Sequence, residues 1–565
     1  MAISQLSALL RTCRCSAMQL AGAALIIALF SVLHHIGREM TTFINDYTHV
    51  DEIFFAVCAA SGWSGGDVPV SGCHDNKAPL IYLFYQAIEL VSGRFSLIGI
   101  KTAGALCALA AIGAVGWVAH RLGGALAALI SAALAAQALA INPELLAFKT
   151  ELVGTIFLLM GASTLLSWRR LPKGVTLFYA GLWFGLAVMT KQTFAFGAFG
   201  VWLWLMSCPV VTKSGGLWVR ARWWLLFNSA LLIPMLVFVV IFFFRGQILD
   251  FSGSVFLHAA AYGTGGTSLS WSERAWKLGW ILQQFGLVYP LTIAFVAALA
   301  HWLWTRRKSQ AIGSDQDTAL GLLFSLALCM ALIPVIARQY FQPHLLPAWL
   351  LMAVAAGASI ATWLKWGLAQ YASSDGWQAA TATTGLFIAV LMAVNSWYSN
   401  GDATERAAAK QHVLDAGSRI PDARGKYGYV LGIRPEFYFF NGIIPASDVL
   451  YPAALMRATH AVSPDQPVNQ NKLRARLNSA MQTHAAKRLM DAFAKTPPSY
   501  IFVVDKWART TNPADLTDVV VLNDYVRSHC AYVRTVAGKP YQTGRLFVCE
   551  GDTLSGRLPV GTLPH

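Results

Sequence analysis

The feature that most constrains this chain is a succession of long apolar runs that continues to about residue 398. Each run approaches the roughly 20 residues that an α-helix needs to cross a bilayer. A bilayer core offers no water to backbone N–H and C=O groups, so a segment of this kind satisfies them within its own helix. The first part of the chain therefore predicts a polytopic α-helical membrane protein.

Composition supports this class. Of the 565 residues, 56% are hydrophobic and only 13% are charged, and the mean hydropathy is +0.50. The net charge of +15 is also compatible with nucleic-acid binding. However, the basic residues of the apolar part lie in short loops between the runs, where they set the orientation of a membrane protein. We therefore expect membrane lipids, and no nucleic acid, among the partners.

The basic loops also predict sidedness. With Arg11 and Arg14 in the cytoplasm, the first run, 18–36, crosses outward. The short run 79–91 is interpreted as an interfacial helix, because the dense basic loops all fall on the cytoplasmic side only if it does not span. This gives about eleven spans and places the C-terminal part on the periplasmic side of a bacterial inner membrane. The remaining predicted spans are 97–119, 123–141, 152–168, 175–190, 193–208, 223–244, 278–304, 318–336, 345–364 and 378–398.

A change in composition near residue 399 predicts two domains. Residues 1–398 form the predicted transmembrane domain, with a catalytic outer loop and interfacial helices at 37–96, and residues 399–565 form a small extracytoplasmic α/β domain. Cys530 with Cys549, and Cys58 with Cys73, are candidate disulfides, whereas no cysteine spacing indicates a zinc site. The predicted strands are Tyr427–Leu431, Tyr500–Asp505, Val519–Leu522, Tyr532–Val536 and Leu546–Cys549, with a helical pattern near 472–494.

Once the spans are drawn, a group of ionisable residues falls on the outer side. Such residues in or beside a span are costly, so they are functional candidates. Several cations beside few carboxylates suit an anionic lipid headgroup with an acid–base residue near it. A purely structural Lys149–Glu151 pair is the alternative for those two residues. The group consists of Asp51, Glu52, Lys77, Glu144, Lys149, Glu151, Lys191, His258, Arg338 and His344.

Asp51 and Glu52 precede the apolar segment IFFAVCAASG, which predicts an amphipathic helix. Acidic residues are also favoured at helix N-termini for electrostatic reasons alone, so a structural role stays open. Lys77 precedes Ala78 and Pro79, and proline there predicts the start of the interfacial helix. The helix dipole opposes a cation at that end, so either an anionic ligand such as a lipid phosphate or snorkelling to the headgroups explains this lysine.

Five segments in order give the chain a resemblance to a known family. They are VDEIFFAVCAASG, NKAPLIYLFYQA, TELVGTIFLLMGA, GLAVMTKQTFAF and RQYFQPHLLPAWLLMA, within residues 18–365. This order resembles the family 39 glycosyltransferases of type C (GT-C), the group of protein O-mannosyltransferases and lipid A aminoarabinose transferases. The resemblance implies a GT-C fold and an integral membrane enzyme that moves a sugar from a polyprenyl-phosphate carrier to a lipid, glycan or protein acceptor outside the cytoplasm.

The resemblance also implies roles for individual residues. Asp51 matches the aspartate of the family's Asp-Glu motif and would be the catalytic base, with Glu52 beside it. Glu151 matches an acidic position at the head of a span. The candidates for binding the donor and its phosphate are Lys77, Lys191, Arg338, Tyr340 and, from its position in the same outer segment, His344.

Two departures from the family pattern concern the loop that carries Lys77. The family's Lys-Pro-Pro is Lys77-Ala78-Pro79 here, and the acidic residue that precedes the lysine in the aminoarabinose transferases is Asn76. In those enzymes that acidic residue helps to hold a metal with a histidine from a later outer loop, for which His258 is the candidate. The sequence therefore predicts no definite cofactor and leaves a divalent metal open.

The predicted reaction is a direct displacement at the anomeric carbon with inversion. Cations meet the charge that develops on the departing phosphate, and a base takes the proton of the acceptor hydroxyl. One alternative is a transporter or flippase for a lipid-linked sugar, which also needs many spans and buried charges. The other is a glycan ligase that relies on arginine and histidine in place of an aspartate.

Overall fold

The structure is a computed structural model that places its described residues in two compact units. The helical unit lies within Lys101–Ile241 and Ser268–Arg406, and the sheet unit lies within Thr48–Ile100, Phe242–Thr267 and Ala407–His565. The segment around the acidic pair thus belongs to the same unit as the C-terminal sheet. The described residues are 49–65, 77–141, 143–168, 172–207, 217–252, 255–256, 271–308, 315–336, 342–371, 420, 423–431, 436–447, 483, 486–504, 520–536 and 544–549.

Helices dominate the described part of the chain up to residue 371, and strands occur only after it. In chain order, the helices are α1 (Val50–Gly65), α2 (Leu80–Ser92), α3 (Leu97–Gly123), α4 (Ala125–Leu139), α5 (Thr150–Leu165), α6 (Lys173–Thr190), α7 (Ala195–Ser207), α8 (Leu217–Phe244), α9 (Ile248–Ser252), α10 (Trp271–Leu287), α11 (Tyr289–Lys308), α12 (Asp315–Ala331), α13 (Ile333–Ile336), α14 (Leu346–Tyr371), α15 (Glu436–Asn441) and α16 (Val520–His529). The strands are β1 (Tyr427–Leu431), β2 (Ile444–Pro445), β3 (Tyr500–Val504), β4 (Cys530–Val536) and β5 (Gly544–Cys549). Short 3₁₀ turns, Pro143–Leu146, Gln192–Phe194 and Gln342–Leu345, precede α5, α7 and α14.

The apolar runs form helices, as predicted. Among the described residues, five helical segments are long and apolar enough to cross a membrane: α3, α6, most of α8, α12 with its continuation α13, and a segment of α14. The shorter helices α4 and α5 occupy two further predicted runs. The runs 18–36 and 378–398 lie outside the described residues. The helical class is therefore confirmed, whereas the count of about eleven spans stays a prediction.

The predicted span 278–304 is not one straight helix. It is replaced by α10 and α11, which form a bent pair with an angle of 96° between them and are either a broken span or a re-entrant segment. Pro290 is the second residue of α11, and proline both lacks an N–H and disfavours helical backbone in the residue before it. A helix therefore begins afresh at this point. Hydropathy alone does not register such a change of direction.

Helix α14 is the central helix of the helical unit. It packs against α4, α5, α11 and α12, and its first 16 residues, 346–361, are buried. A Cβ at Gly357 would lie 2.1 Å from Ser131 Oγ and 2.8 Å from the Ser131 backbone nitrogen, so a glycine is needed for α4 to approach this closely. The outer faces of other helices expose apolar side chains such as Leu106, Leu236 and Ile293, as suits surfaces that contact lipid.

Several basic residues of the helical unit donate hydrogen bonds to the ends of neighbouring helices. The last carbonyls of a helix have no intrahelical donors and carry partial negative charge, so arginine and lysine suit them. The bonds run from Arg121 to Ser163 O (2.6 Å), Ser163 Oγ (3.2 Å) and Ser167 Oγ (2.7 Å), from Arg306 to Ser207 O (2.9 Å), from Arg220 to Met206 O (3.3 Å) and from Lys365 to Gly123 O (2.5 Å). Residues that sequence analysis counts as topology signals thus also cap α3, α5 and α7.

The sheet unit is built on a mixed sheet with the strand order β2-β1-β3-β5-β4 in the described residues. Strand β1 runs parallel to β2 and β3, whereas β5 runs antiparallel to β3 and β4. A disulfide joins Cys530 at the start of β4 to Cys549 at the end of β5, which confirms that predicted pair. Cys58 is also disulfide-bonded, and Cys73 lies outside the described residues.

Four of the predicted strands are confirmed, as β1, β3, β4 and β5, and one is wrong. The segment Val519–Leu522 leads into the helix α16. Its β-branched residues favour a strand locally, but Leu522 and Val526, which are four residues apart, are both buried in the core of the sheet unit. This is the spacing of a helix face, so tertiary packing overrides the local preference. Of the helical pattern expected near 472–494, residues 486–494 are helical, whereas 472–482 lie outside the described residues.

Replacing Arg121 with methionine should destabilise the helical unit, because three hydrogen bonds to the end of α5 are lost together while an apolar stem is kept. Hydrogen bonds to charged groups contribute about 1.5–3 kcal/mol each and are not additive, so we expect a total loss of about 2–4 kcal/mol. The measurement is the Tm in detergent. Arg222→Met is the matched control, because Arg222 is exposed on α8. Equal shifts for the two variants would contradict the capping role.

Candidate active site

A buried cluster of three ionisable residues lies in the helical unit and comes from three separate stretches of sequence. The Nζ of Lys191 lies 2.5 Å from Oε1 of Glu151 and 2.8 Å from Nε2 of His344. The same His344 nitrogen lies 3.4 Å from Glu151 Oε1. Each of the three residues is at most 8% exposed. The structure therefore brings together three of the predicted site residues, which we name the Lys191 cluster.

The members of the Lys191 cluster sit where regular helix begins or ends. Glu151 lies in the first turn of α5. Lys191 lies between α6 and the 3₁₀ turn that precedes α7, and its extended backbone (φ −156°, ψ 128°) turns the chain out of α6. His344 lies in the 3₁₀ turn before α14. At such junctions the chain leaves the helical repeat, so side chains from different helices can converge on one point.

Gly154 allows two of these segments to approach each other. It lies about one turn after Glu151 on α5, and a Cβ there would be 2.3 Å from the ring of Phe194 and 2.5 Å from Thr190 Oγ1. Thr190 and Phe194 flank Lys191 in the chain. The missing side chain at position 154 thus brings α5 against the α6–α7 junction, which places Lys191 beside Glu151.

The hydrogen bonds of the Lys191 cluster define its charge. An ammonium group can only donate, so Nε2 of His344 accepts from Lys191, and we assign the neutral imidazole with its proton on Nδ1. The second oxygen of Glu151, Oε2, accepts from Thr150 Oγ1 at 2.9 Å. Burying an ion pair is costly unless such hydrogen bonds satisfy its remaining atoms. The ammonium group of Lys191 and the carboxylate of Glu151 thus form a buried ion pair.

A second lysine–carboxylate pair lies in the same unit. Lys149 Nζ donates to Glu144 Oε1 at 2.7 Å, and Lys149 is almost fully buried. The structure thus pairs Lys149 with Glu144, whereas the carboxylate of Glu151 binds Lys191. The expected surplus of cations over carboxylates is not found within these four residues.

Substituting Gly154 with alanine should disrupt the Lys191 cluster, because the added methyl group forces α5 away from Thr190 and Phe194. Overpacking of this kind costs about 1–3 kcal/mol, and separating a buried ion pair adds to that loss. We therefore expect a lower Tm. Gly113→Ala is the matched control on α3, because a Cβ there meets nothing within 4 Å. A Gly154→Ala variant that is as stable as Gly113→Ala would refute this account.

In the sheet unit, the acidic pair begins α1, and its two acids differ in their surroundings. The Nδ1 of His49 accepts the backbone N–H of Asp51 at 3.0 Å, and Glu52 Oε2 accepts the backbone N–H of His49 at 3.4 Å. These reciprocal bonds form a capping box, with histidine in the place usually taken by serine or threonine. Glu52 is 0% exposed, whereas the Asp51 side chain is 43% exposed. Glu52 thus caps the helix, and Asp51 is accessible.

The expectation that α1 is amphipathic is wrong. From Ile53 to Ala60 every side chain except Phe54 is buried. The ring of Phe55 lies 5.6 Å, between centroids, from both Tyr82 and Tyr85 of α2, and α1 also packs against α15 and β2. A helix that is covered on several sides carries apolar residues all round, which is a core pattern and not a surface pattern.

The helix that the sequence predicts to be interfacial begins where the proline predicts. Pro79 has φ −70° and ψ −22°, and α2 starts at Leu80. With 13 residues, α2 is too short to cross a bilayer. Ala78 is buried and Lys77 is half-buried just before the helix. The contact of Lys77 with a carrier phosphate stays a proposal.

Three predicted site residues, His258, Arg338 and Tyr340, lie outside the described residues. In the part of the chain that the structure describes, no group of three or more His, Cys, Asp or Glu side chains is arranged to hold a metal ion. Within the Lys191 cluster, Glu151 and His344 are both bonded to a lysine. The described residues therefore give no support to a metal at that point.

Among the described residues of α2 and α3, two buried ionisable residues were not predicted from the sequence. Lys101, near the start of α3, is 0% exposed, and Glu89, near the end of α2, is 8% exposed. The signal that could have found them is a charged residue within an apolar helix, as in IGIKTAG and QAIELVS. Both carboxyl oxygens of Glu89 are buried without a hydrogen bond.

Burial raises the pKa of Glu89 to about 8, although Arg94 and the nearby backbone N–H of Phe95 oppose the shift. The folded state thus favours protonated Glu89, so folding should weaken as the pH rises from about 4.5 to about 8. Glu89→Gln should remove this loss. Its Tm should match wild type near the acidic end of that range and exceed it by several degrees above about pH 8. A Tm difference that does not change with pH would contradict the assignment.

Comparisons with known proteins support the fold. No protein-family model matches the sequence, and no curated protein sequence matches it either. The structure is similar to the crystal structure of ArnT from Cupriavidus metallidurans bound to undecaprenyl phosphate, with a TM-score of 0.52 and 13% identity over 94% of this chain and 97% of that chain. The apo state of the same ArnT gives a TM-score of 0.53 and 14% identity over 93% and 98% of the two chains. The oligosaccharyltransferase of Archaeoglobus fulgidus gives 0.48 and 12% over 91% and 73%.

The chain thus shares its fold with ArnT, in agreement with the fold that the resemblance implies. The similarity to ArnT covers nearly the whole of both chains, so it includes the helical part and the C-terminal part. At 13–14% identity the likeness establishes the fold. Reaction, donor and acceptor need their own argument from the residues.

Proposed function

We propose that this protein is a membrane glycosyltransferase that takes a sugar from a polyprenyl-phosphate carrier. The observation that carries the proposal is the fold, which is shared over 94% of the chain with an ArnT structure that contains bound undecaprenyl phosphate. Asp51 adds support from the chain's own residues, because it is an accessible carboxylate at the start of a buried helix. A general base needs access to its reactant together with a fixed position.

In the proposed reaction an acceptor hydroxyl attacks the anomeric carbon of the donor sugar. Asp51 takes the hydroxyl proton while the acceptor oxygen bonds to that carbon. The bond from the anomeric carbon to the phosphate oxygen breaks, and its electron pair goes to the phosphate. The carrier leaves as a phosphate monoester, and the single displacement inverts the anomeric centre.

The departing phosphate gains negative charge, so cations that face it lower the barrier. We assign this role to Lys77 and, following the resemblance, to Arg338, with Tyr340 beside it as part of the same motif near the carrier. Lys191 keeps its proposed role in binding the sugar donor, and His344 accepts a hydrogen bond from Lys191. Glu151 balances the charge of Lys191, so Lys191 exerts little net positive field on the phosphate. Its main contribution to donor binding is a directed, charge-assisted hydrogen bond.

We place the acceptor, whether lipid, glycan or protein, on the periplasmic side of a bacterial inner membrane. The loop that carries Asp51 and Lys77 and the C-terminal part, from about residue 399, lie on that side in the proposed topology. The scheme uses no metal, so His258 has no assigned step.

Asp51→Asn should abolish product formation without affecting folding. Mass spectrometry of cell-envelope glycans from a deletion strain should show the loss of one sugar mass, which the wild-type protein restores. A lost general base lowers the rate by about 10²–10⁴-fold, so Asp51→Asn should restore about 1% of the product or less. Asp491→Asn should restore it fully, because Asp491 is exposed on the helix 486–495.

Other outcomes would favour the alternatives. Full restoration by Asp51→Asn would remove Asp51 as the base. If that variant works while substitutions of Arg338 or His344 do not, an arginine- and histidine-dependent ligase is favoured. A flippase moves the carrier without consuming it, so redistribution of the lipid-linked sugar across the membrane, with no sugar transferred, would favour a transporter.

A further inference from the structure

The short helix α15 is fixed to the sheet by two of its residues, and a third residue closes the end of the helix. The ring of Phe437 stacks on Phe502 of β3 with centroids 4.7 Å apart. The hydroxyl oxygen of buried Tyr438 accepts the backbone N–H of Val430 of β1 at 2.6 Å. The amide of Asn441 donates to the carbonyl of Phe437 at 2.9 Å and closes the helix end. These contacts hold α15 in a fixed position on the sheet, and we call the helix in this position the platform.

Phe439 of this platform contacts the turn that follows α2. Its ring lies 5.5 Å, between centroids, from the ring of Phe95, and Phe439 is buried. Phe95 has φ 58°, a left-handed backbone conformation that residues other than glycine rarely adopt. Such a conformation persists only where surrounding contacts hold it. The pairing with Phe439 is one such contact.

Helix α1 packs on the same platform. It contacts α15 and β2, and through Phe55 it contacts Tyr82 and Tyr85 of α2. Both α1 and the turn after α2 thus meet α15. The capping box fixes the first turn of α1 internally, whereas the packing on α15 fixes the position of the helix.

From these contacts we infer that α15 positions the acidic helix α1 by packing against it, and that Phe439, which acts through the turn after α2 and the contacts of α2 with Phe55, is a positioning residue for Asp51. The effect on catalysis rests on the proposed function, whereas the mechanical effect on α1 does not. Misplacing a reacting group by about 1 Å lowers a rate by about a hundredfold. A helix of the C-terminal part would thus control sugar transfer through the placement of the base.

The test compares Phe439→Ala with two other variants of the full chain in detergent. Phe439→Leu keeps an apolar side chain, and Tyr532→Ala removes an exposed aromatic ring on β4, the edge strand farthest from β1 and β2. Hydrogen exchange read by mass spectrometry should be about tenfold or more faster in α1 for Phe439→Ala, with β3 unchanged. Phe439→Leu should give an intermediate increase, and Tyr532→Ala should leave α1 and β3 unchanged.

A second readout separates positioning from general loss of structure. Phe439→Ala should reduce the glycan product in the deletion strain by about a hundredfold. Undecaprenyl phosphate, used as the probe in native mass spectrometry, should still bind at the wild-type level. Phe439→Leu should recover most of the product.

The outcomes distinguish the inference from the proposed function. Unchanged exchange in α1 overturns the inference, whatever the product level. Faster exchange in α1 with wild-type product supports the positioning and removes Asp51 as the base. If exchange in β3 also rises for Phe439→Ala, that variant has lost its fold and Phe439→Leu decides, because wild-type exchange in α1 for Phe439→Leu then overturns the inference.

Discussion

The contact of Lys191 with Glu151 and His344 is the interaction on which the helical unit most depends. An isolated ammonium or carboxylate group in an apolar interior is very costly, so each of these charges is tolerated only because the other residues are in place. The backbone makes this possible in two ways. Gly154 brings α5 against the α6–α7 junction, and a 3₁₀ turn presents His344 before α14 begins. The cluster therefore joins the start of three helical segments through side chains that none of them could bury alone.

The two ends of α5 are stabilised by different means. At its start, Glu151 and Lys191 balance each other. At its end, Arg121 donates to carbonyl and hydroxyl oxygens, which compensates the partial negative charge of the helix terminus. The ends of α3 and α7 are capped in the same way by Lys365 and Arg306. The basic residues from which the sequence predicts orientation in a membrane thus also stabilise the ends of helices.

The sequence was sufficient to predict the helices but not the points at which they are interrupted. An apolar run of helix length has one solution in a bilayer, which is why the runs 97–119, 175–190 and 223–244 became helices. The break between α10 and α11 does not alter hydropathy, so the hydropathy pattern alone could not reveal it, although Pro290 marks the place in the sequence. The segment Val519–Leu522 has strand propensity, but the choice was made by packing against the sheet, which a single sequence does not display.

The site shows the same limit more sharply. Ionisable residues stand out in an apolar sequence, so the members of the Lys191 cluster were identified, but Lys191 meets Glu151 and His344 across 40 and 153 residues of sequence. No local spacing of residues in the sequence predicts such a contact. The different surroundings of Asp51 and Glu52 were also hidden, because a histidine at the N-cap falls outside the usual capping pattern.

The sheet unit changes how the acidic pair should be understood. The capping box fixes the side chain of Glu52. The other residues of α1 pack against α2, α15 and β2, so the backbone of Asp51 is fixed and its conformational freedom is that of its side chain. In the proposed role of Asp51 as the base, a backbone that is already fixed by packing means that little entropy is lost on reaching the reactive geometry. Removing the C-terminal part would therefore remove packing from α1 itself. A loss of activity in such a truncated protein would therefore have two explanations, a displaced Asp51 or the loss of an acceptor that binds the sheet.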